Sequence, residues 1–335
     1  MKSVIYACGS IIALAVATQG LAQNSSTVTQ NGTGNSVDIS QQNANTSIVT
    51  QVGDANTAQV VQQIGSGNTS TVTQDGDDQN VADVLQFGNS STAQITQTGA
   101  ARGDMATIFQ NTSAADSDAA ITQSGDGVAG DPASANIAII DQSFGTGNSG
   151  TIAQSGTGNF ATVFQSGNGV LSDNLADVIM GGVGNQVFVE QVVPGNSSLV
   201  VVGSDPTSTG NSASSFSASS DSISNIFQEG DSNTATVMQF GSNNESLIDQ
   251  GFAGSSANNT ADVSQSGTGN LSFVDQGFNA AATGNSATVN QTGGSNLSAI
   301  AQDGDTNSAT VTQATDGNAS FVTQSGTGNT ISVNQ

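Results

Sequence analysis

Positive charge is almost missing from this chain: Lys2 and Arg102 are its only two cations, against 26 acidic residues and a net charge of −24. A surface so poor in Lys and Arg cannot neutralise phosphates, which excludes nucleic acid as a partner and disfavours anionic membranes. There is no His, and the single cysteine is Cys8. The usual base–nucleophile pairs are therefore unavailable, and no enzyme, cofactor site or metal site is expected. Acidic pairs such as Asp77 and Asp78 sit in turn-like sequence with nothing to raise a pKa. Gly-Asp turns offer hard oxygen ligands for Ca²⁺, but the nonapeptide repeat of calcium-binding β-rolls is missing. Gly-x-Gly turns such as Gly32 and Gly34 have no helix or Lys after them and are not phosphate loops. Trp is absent and aromatics are 4% of the chain. Polar low-complexity chains of this kind are often disordered, because they bury too little apolar surface to offset ordering entropy.

Long apolar runs are absent too, except at the start. Lys2 is followed by an apolar stretch from Val4 to Ala17 and by the small-residue site Gly20-Leu21-Ala22. Residues 1–22 read as a secretory signal peptide cleaved near Ala22, with a core too short to span a bilayer. Cys8 lies inside it, too near the start to anchor a lipid, so the mature chain has no thiol and no disulfide.

What is present is a repeat. Aligning the Gln residues exposes a seven-residue unit, Asn-x-(Ala/Ser)-x-(Val/Ile)-x-Gln, in about 26 copies commonly about 11 residues apart, the regular spacing of a solenoid. The fifth position is Val or Ile in each aligned unit except at Ser215. A disordered tract has no reason to hold a β-branched residue at one phase. Period-two alternation places Asn, Ala/Ser, Val/Ile and Gln on one face of a strand. Short Gly-bearing turns follow, such as Asn31-Gly32-Thr33-Gly34, where Gly supplies positive φ. Pro132, Pro194 and Pro206 fall in connections, where a missing N–H disrupts no ladder.

Strand, turn, strand, turn makes one rung of an all-β, two-sheet solenoid: about 13 rungs stacked at roughly 4.8 Å, uncapped at either end. Residues 23–202 and 223–335 are expected to form repeats, joined by an irregular Ser-rich stretch at 203–222. The inward Asn, Val/Ile and Gln should stack on their own kind, the amides donating and accepting along the axis. The ladder residues nearest the start are Asn24, Val28, Gln30, Asn35, Ile39, Gln41, Asn56, Val60 and Gln62. Those nearest the end are Asn307, Val311, Gln313, Asn318, Val322, Gln324, Asn329, Val333 and Gln335.

The Gln-x-Gly-x-x-Asn-x-(Ala/Val)-x3-Gln centre, seen in Ser26–Gln41 and in Asn296–Gln313, resembles the curlin repeat family, the subunits of bacterial curli. That resemblance implies an amyloid-type β-solenoid in an extracellular, biofilm-matrix fibre at the cell surface. It also implies a nucleator subunit and an outer-membrane secretion pore as partners. The chain departs from the family in carrying many more units and in starting its first unit at Asn24, where an N-terminal targeting segment is usual.

End rungs of a solenoid expose unpaired N–H and C=O groups unless capped. Here the first unit starts at Asn24 and the last ends at Gln335, so one copy is expected to template the next, head to tail. Asp residues crowd the turns (Asp54, Asp75, Asp126, Asp231, Asp303, Asp305) and read as gatekeepers against sideways sticking or as plain solvated turns. The alternative is a non-polymerising adhesin or ice-binding solenoid acting through outward Thr-x-Thr rows (Thr27/Thr29, Thr71/Thr73, Thr310/Thr312). Asp83, Gln94, Leu247 and Phe273 at equivalent positions are expected to interrupt such rows.

Overall fold

The computed structural model describes residues 23–76, 79–99, 103–125, 134–171, 173–204, 206–251, 256–277 and 282–335. The expected signal peptide, Arg102, Asp77, Asp78, Asp126 and Pro132 lie outside the described residues. No α-helix occurs among the described residues, and the strands are numbered β1–β26 in chain order. The chain divides into two compact units, Met1–Asp173 and Asn174–Gln335.

In the first unit the odd strands form one parallel sheet. They are β1 (Ser25–Asn31), β3 (Thr46–Val52), β5 (Thr69–Gly76), β7 (Thr92–Gly99), β9 (Asp118–Ser124) and β11 (Ser149–Ser155). The even strands form the other: β2 (Ser36–Gln41), β4 (Thr57–Gln62), β6 (Val81–Gln86), β8 (Met105–Ala115), β10 (Ile137–Thr146) and β12 (Phe160–Leu171). Each odd–even pair is one rung, and the unit has six.

The second unit repeats the plan with seven rungs. Its odd sheet contains β13 (Leu175–Met180), β15 (Ser197–Val202), β17 (Ile223–Gln228), β19 (Glu245–Gln250), β21 (Leu271–Gln276), β23 (Leu297–Asp305) and β25 (Ala319–Thr327). Its even sheet contains β14 (Gln186–Gln191), β16 (Ser212–Ser220), β18 (Thr234–Ser242), β20 (Thr260–Thr268), β22 (Ser286–Gly294), β24 (Ser308–Gln313) and β26 (Thr330–Asn334). The all-β, two-sheet solenoid expected from the spacing is the fold observed, and the rung number agrees with it.

Burial alternates along the inner strands, as in TAQVVQ of β4, where Ala58, Val60 and Gln62 are buried and the residues between them are not. The central β-branched row is fully dry: Val60, Val84, Ile108, Ile140 and Val163 are each 0% exposed. Burying one such side chain is worth roughly 1.5–3 kcal/mol. Ala58, Ala82, Ala106 and Ala138 stack beside it in register. Small residues there let the two sheets approach closely, and most units hold Ala or Ser at that position; Val37, Gly150, Val187 and Ile331 are exceptions.

Residues 212–220, within the Ser-rich stretch, form β16, paired in register with both β14 and β18. Ser215 points inward with 0% exposure. Its hydroxyl accepts from Ser198 Oγ at 3.0 Å, which satisfies polar groups where neighbouring rungs hold Val.

Glycine is obligatory where successive rungs crowd at the strand ends. Gly241, Gly267 and Gly293 lie in register, at φ of 109°, 115° and 92°. A Cβ on Gly267 would come 1.9 Å from the Gly293 carbonyl oxygen. The rungs close so tightly there that only a residue without a side chain fits.

Candidate self-assembly site: amide ladders and end rungs

The Gln rows form runs of hydrogen-bonded amides with one polarity. Gln30 Nε2 donates to Gln51 Oε1 at 2.7 Å, and Gln51 Nε2 to Gln74 Oε1 at 2.8 Å. In the even sheet Gln41 Nε2 donates to Gln62 Oε1 at 2.6 Å, and Gln62 to Gln86 at 2.7 Å. The second unit ends the same way: Gln302 donates to Gln324 at 2.6 Å, and Gln313 to Gln335 at 3.1 Å. The second Nε2 proton also has a partner, as in Gln62 Nε2 to the Thr46 carbonyl at 3.0 Å. Donation always runs from the earlier rung to the later.

The Asn rows work differently from the amide-to-amide stacking expected of them. Where Asn follows Asn, the backbone N–H donates to Oδ1 of the residue one rung earlier: Asn45 to Asn24 at 3.1 Å, Asn56 to Asn35 at 2.9 Å, Asn318 to Asn296 at 2.9 Å and Asn329 to Asn307 at 3.0 Å. The Nδ2 groups turn sideways to turn carbonyls, as in Asn35 to Gly53 at 2.7 Å and Asn307 to Gly326 at 3.0 Å. The short side chain holds Oδ1 at the height of the next main chain, so Asn clamps the turn rather than running a free amide stack. One amide-to-amide bond appears at the final rung, Asn329 Nδ2 to Asn307 Oδ1 at 2.9 Å.

Among the ladder residues named from the sequence, Gln41, Asn56, Val60, Gln62, Asn307, Val311, Gln313, Val322 and Gln324 are buried. Asn24, Gln30, Asn35, Ile39, Asn318 and Val333 are half-buried, while Val28, Asn329 and Gln335 are exposed. The gradient is abrupt: Val28 is 36% exposed, whereas Val49, its register partner on β3, is 0%. Among the described strands β1 and β2 each pair on one side only, with β3 and β4, and β25 and β26 only with β23 and β24.

Polarity gives the two end rungs complementary chemistry. Gln30 and Gln41 present Oε1 acceptors that no described residue fills. At the other end Gln324 and Gln335 direct Nε2 to Ser308 O at 2.9 Å and Ala319 O at 3.3 Å, each with a second proton uncommitted. The Asn rows run the opposite way, with Oδ1 of Asn318 and Asn329 as acceptors for a following main chain.

The ladders are interrupted at Ser217, within the Ser-rich stretch, and at other places the sequence reading did not mark. In the second unit Met180 and Val202 take the Gln position of β13 and β15, and Ser217 that of β16. Ser217 Oγ donates to Gln239 Oε1 at 3.2 Å and partly restores the row. At the Asn position of the first unit stands Asp104, whose Oδ1 accepts from Asn136 N–H at 2.8 Å while its buried Oδ2 has no partner. Burial pushes its pKa up, against the opposing hydrogen bonds from Asn136. On the exposed turn, by contrast, the Thr33 N–H and hydroxyl hold Asp54 below the ordinary range.

The outward rows are also sorted by sheet. Thr29, Thr50, Thr73, Thr96 and Thr122 form one unbroken column on the odd sheet of the first unit. Of the four residues expected to break Thr rows, only Gln94 shares that face. Asp83 lies on the even sheet, and Leu247 and Phe273 belong to the second unit. The signal was available in the repeat, had odd and even units been read separately.

No group of three or more His, Cys, Asp or Glu placed to hold a metal ion occurs among the described residues. No helix long and apolar enough to cross a membrane occurs among them.

Parallel, in-register rungs closed by polar amide rows define a stacked-repeat structural protein of cross-β type. The curlin associated repeat matches residues 43–76, 78–99, 145–169, 225–251, 257–293, 282–314 and 304–335, more than half of the sequence. The chain belongs to that family, which is structural and not enzymatic. A search of curated proteins found no match.

Proposed function

We propose that this chain is the structural subunit of an extracellular curli-like amyloid fibre that grows head to tail by stacking the last rung of one copy on the first rung of the next. The observation that carries this reading is the polarity of the ladders. Nε2 donors at Gln324 and Gln335 match Oε1 acceptors at Gln30 and Gln41, and Asn318 and Asn329 Oδ1 match the main chain at Asn24 and Asn35. Two strand pairings would form at the same join and cover Val28 and Ile39. Each amide bond contributes only about 1 kcal/mol net, but burial of the end Val and Ile acts with it. Two like ends would set acceptor against acceptor, so the contact does not close and extends into a filament.

Residues 1–22 would direct export, and family membership supports a surface fibre in a biofilm matrix, with a nucleator and an outer-membrane pore as partners. Purified chain diluted from denaturant should become thioflavin-positive and sediment within hours to days. A persistent soluble monomer would overturn the reading.

The Thr29–Thr122 column favours a second reading, in which the first unit's odd face orders water as ice-binding solenoids do. Thermal hysteresis from a stable monomer would select it.

A further inference from the structure

Apolar side chains are unevenly shared between the outer faces of each unit. In the second unit the even sheet shows Thr236, Asp262, Thr288 and Thr310 in one outward row, with apolar side chains confined to Phe188, Phe216, Met238 and Phe240 near its start. The odd sheet shows Leu199, Phe227, Leu247, Leu271, Phe273 and Leu297 on its outer side. Leu247 stacks on Phe273, and Leu271 on Leu297. These side chains point away from the core and are half-buried by neighbours on the same face. In the first unit the even sheet is the apolar one, with Val81, Met105, Ile137 and Phe160 in a single register row.

Carboxylates are embedded in these apolar faces. Asp249 and Asp275 stack directly on one another in adjacent rungs. The other acidic groups facing them are Glu229 beyond β17, Glu245 on β19 and Asp303 on β23, and no cation is on the face. Burial first, then the charges of Asp249 and Asp303, push Asp275 up to about 6. Burial and Glu229 raise Asp249 as well. In the first unit's apolar face burial raises Asp83 and Asp141, the latter opposed by a hydrogen bond from the Ser143 hydroxyl. Asp83 lies between Gln59 and Thr107, and Asp141 between Phe109 and Phe164, all uncharged.

We infer that the apolar odd face of the second unit is a lateral contact between neighbouring fibres of this chain, held open while Asp249 and Asp275 are ionised and closed when they are protonated. The inference rests on the fibre reading above. A second copy is the occupant for two reasons. First, seven rungs at roughly 4.8 Å by a strand of five or six residues give a face on the order of 600 Å². A stable partner needs about 800 Å² per side. One copy therefore cannot hold a partner, but copies in a row present the face repeatedly, and contacts that fail singly succeed together. Second, a flat face of side chains repeating at the rung spacing interdigitates along its length with a face of the same period, as paired sheets do about 10 Å apart. A carboxylate inside that dry contact would lose its hydration without a counter-ion, so the charged state opposes closure.

The test uses fibres of the full chain grown at pH 8, moved to pH 8, 7, 6 and 5, and measured for width by electron microscopy. Single fibres are expected at pH 8, with width at least doubling below about pH 6. D249N/D275N should bundle at pH 8, while D262N/D305N, with the same charge change away from this face, should stay single there. F273E should stay single throughout. Fibres of constant width in every variant would overturn the inference. So would fibres that ignore one another but coat phosphatidylcholine vesicles, which would assign the face to lipid. Absence of fibres in all samples would instead overturn the assembly reading, and this inference with it.

Discussion

Val202 and Gln228 are register partners on β15 and β17, and their mismatch marks where an amide ladder begins. Gln228 Nε2 donates onward to Gln250 Oε1 at 2.8 Å, but its own buried Oε1 accepts nothing, because Val has no amide to offer. Gln265, mid-row in the even sheet, accepts from Gln239 at 3.0 Å and donates to Gln291 at 2.9 Å.

The two positions should therefore respond differently to the same change. Gln265→Leu leaves the Gln291 Oε1 acceptor buried and unmatched, while Gln239 Nε2 keeps the Ile223 and Asn244 carbonyls at 2.8 and 3.2 Å, and should cost about 1–3 kcal/mol. Gln228→Leu orphans only Gln250 Oε1 and removes an existing orphan, so about 1 kcal/mol is expected. Guanidinium midpoints of the two variants check the difference, and equal losses would show that the rows contribute little.

Ser246, Ser272 and Ser298 stack inward in the odd sheet, each with a buried hydroxyl lacking a partner. Ser272→Ala removes a desolvated polar group and no hydrogen bond, so it should leave stability unchanged or raise it by about 1 kcal/mol. Ser70→Ala is the contrast, because Ser70 Oγ donates to Ser47 Oγ at 3.2 Å. A loss of stability in S272A measured by the same midpoint would contradict the assignment.

Asp104→Asn should stabilise the fold, since Nδ2 can donate to a turn carbonyl as its neighbours in the row do. The folded-state pKa of Asp104 is raised by burial, so ionisation opposes folding. That penalty is full above the folded pKa and is relieved as pH falls toward the ordinary value of 3.8. The advantage of D104N over the parent should be about 1–3 kcal/mol at pH 8 and shrink toward pH 4. A constant difference across that range would contradict the cause.

Gly267→Ala and Gly328→Ala separate crowding from backbone strain. Gly267 has φ 115° and no room for a Cβ, whereas Gly328, at φ 71°, has nothing within 4 Å of that position. Gly328→Ala should cost about 1 kcal/mol, and Gly267→Ala several-fold more, read as the loss of soluble folded chain or of fibre yield.

Much of this was legible in the repeat. The Asn-x-(Ala/Ser)-x-(Val/Ile)-x-Gln unit gives strand, inward face and register together, because period two and a fixed Gln phase admit a single stacking. The rung number followed from unit spacing. The role of Asn was less legible, since Oδ1 receives the next main chain, and that depends on turn geometry instead of residue identity. The Ser-rich stretch shows the other limit: Ser215 and Ser217 break the pattern by type, yet neighbouring rungs impose their register and Ser–Ser hydrogen bonds satisfy the interior. Face composition was hidden because consecutive units alternate between sheets, so Thr29 and Thr50 are neighbours while Thr29 and Ser40 are not.

The head-to-tail join is tested most directly by a disulfide across it. Stacking β25 of one copy on β1 of the next, with Asn318 over Asn24 and Gln324 over Gln30, sets Phe321 beside Thr27 on the outer face. Adjacent strands about 4.8 Å apart fall within disulfide reach. Fibres of a T27C/F321C variant, with Cys8→Ser to remove the native thiol, should oxidise into a covalent ladder of oligomers joined only through positions 27 and 321. Fibres that yield 27–27 or 321–321 links, or no link between copies, would contradict the account.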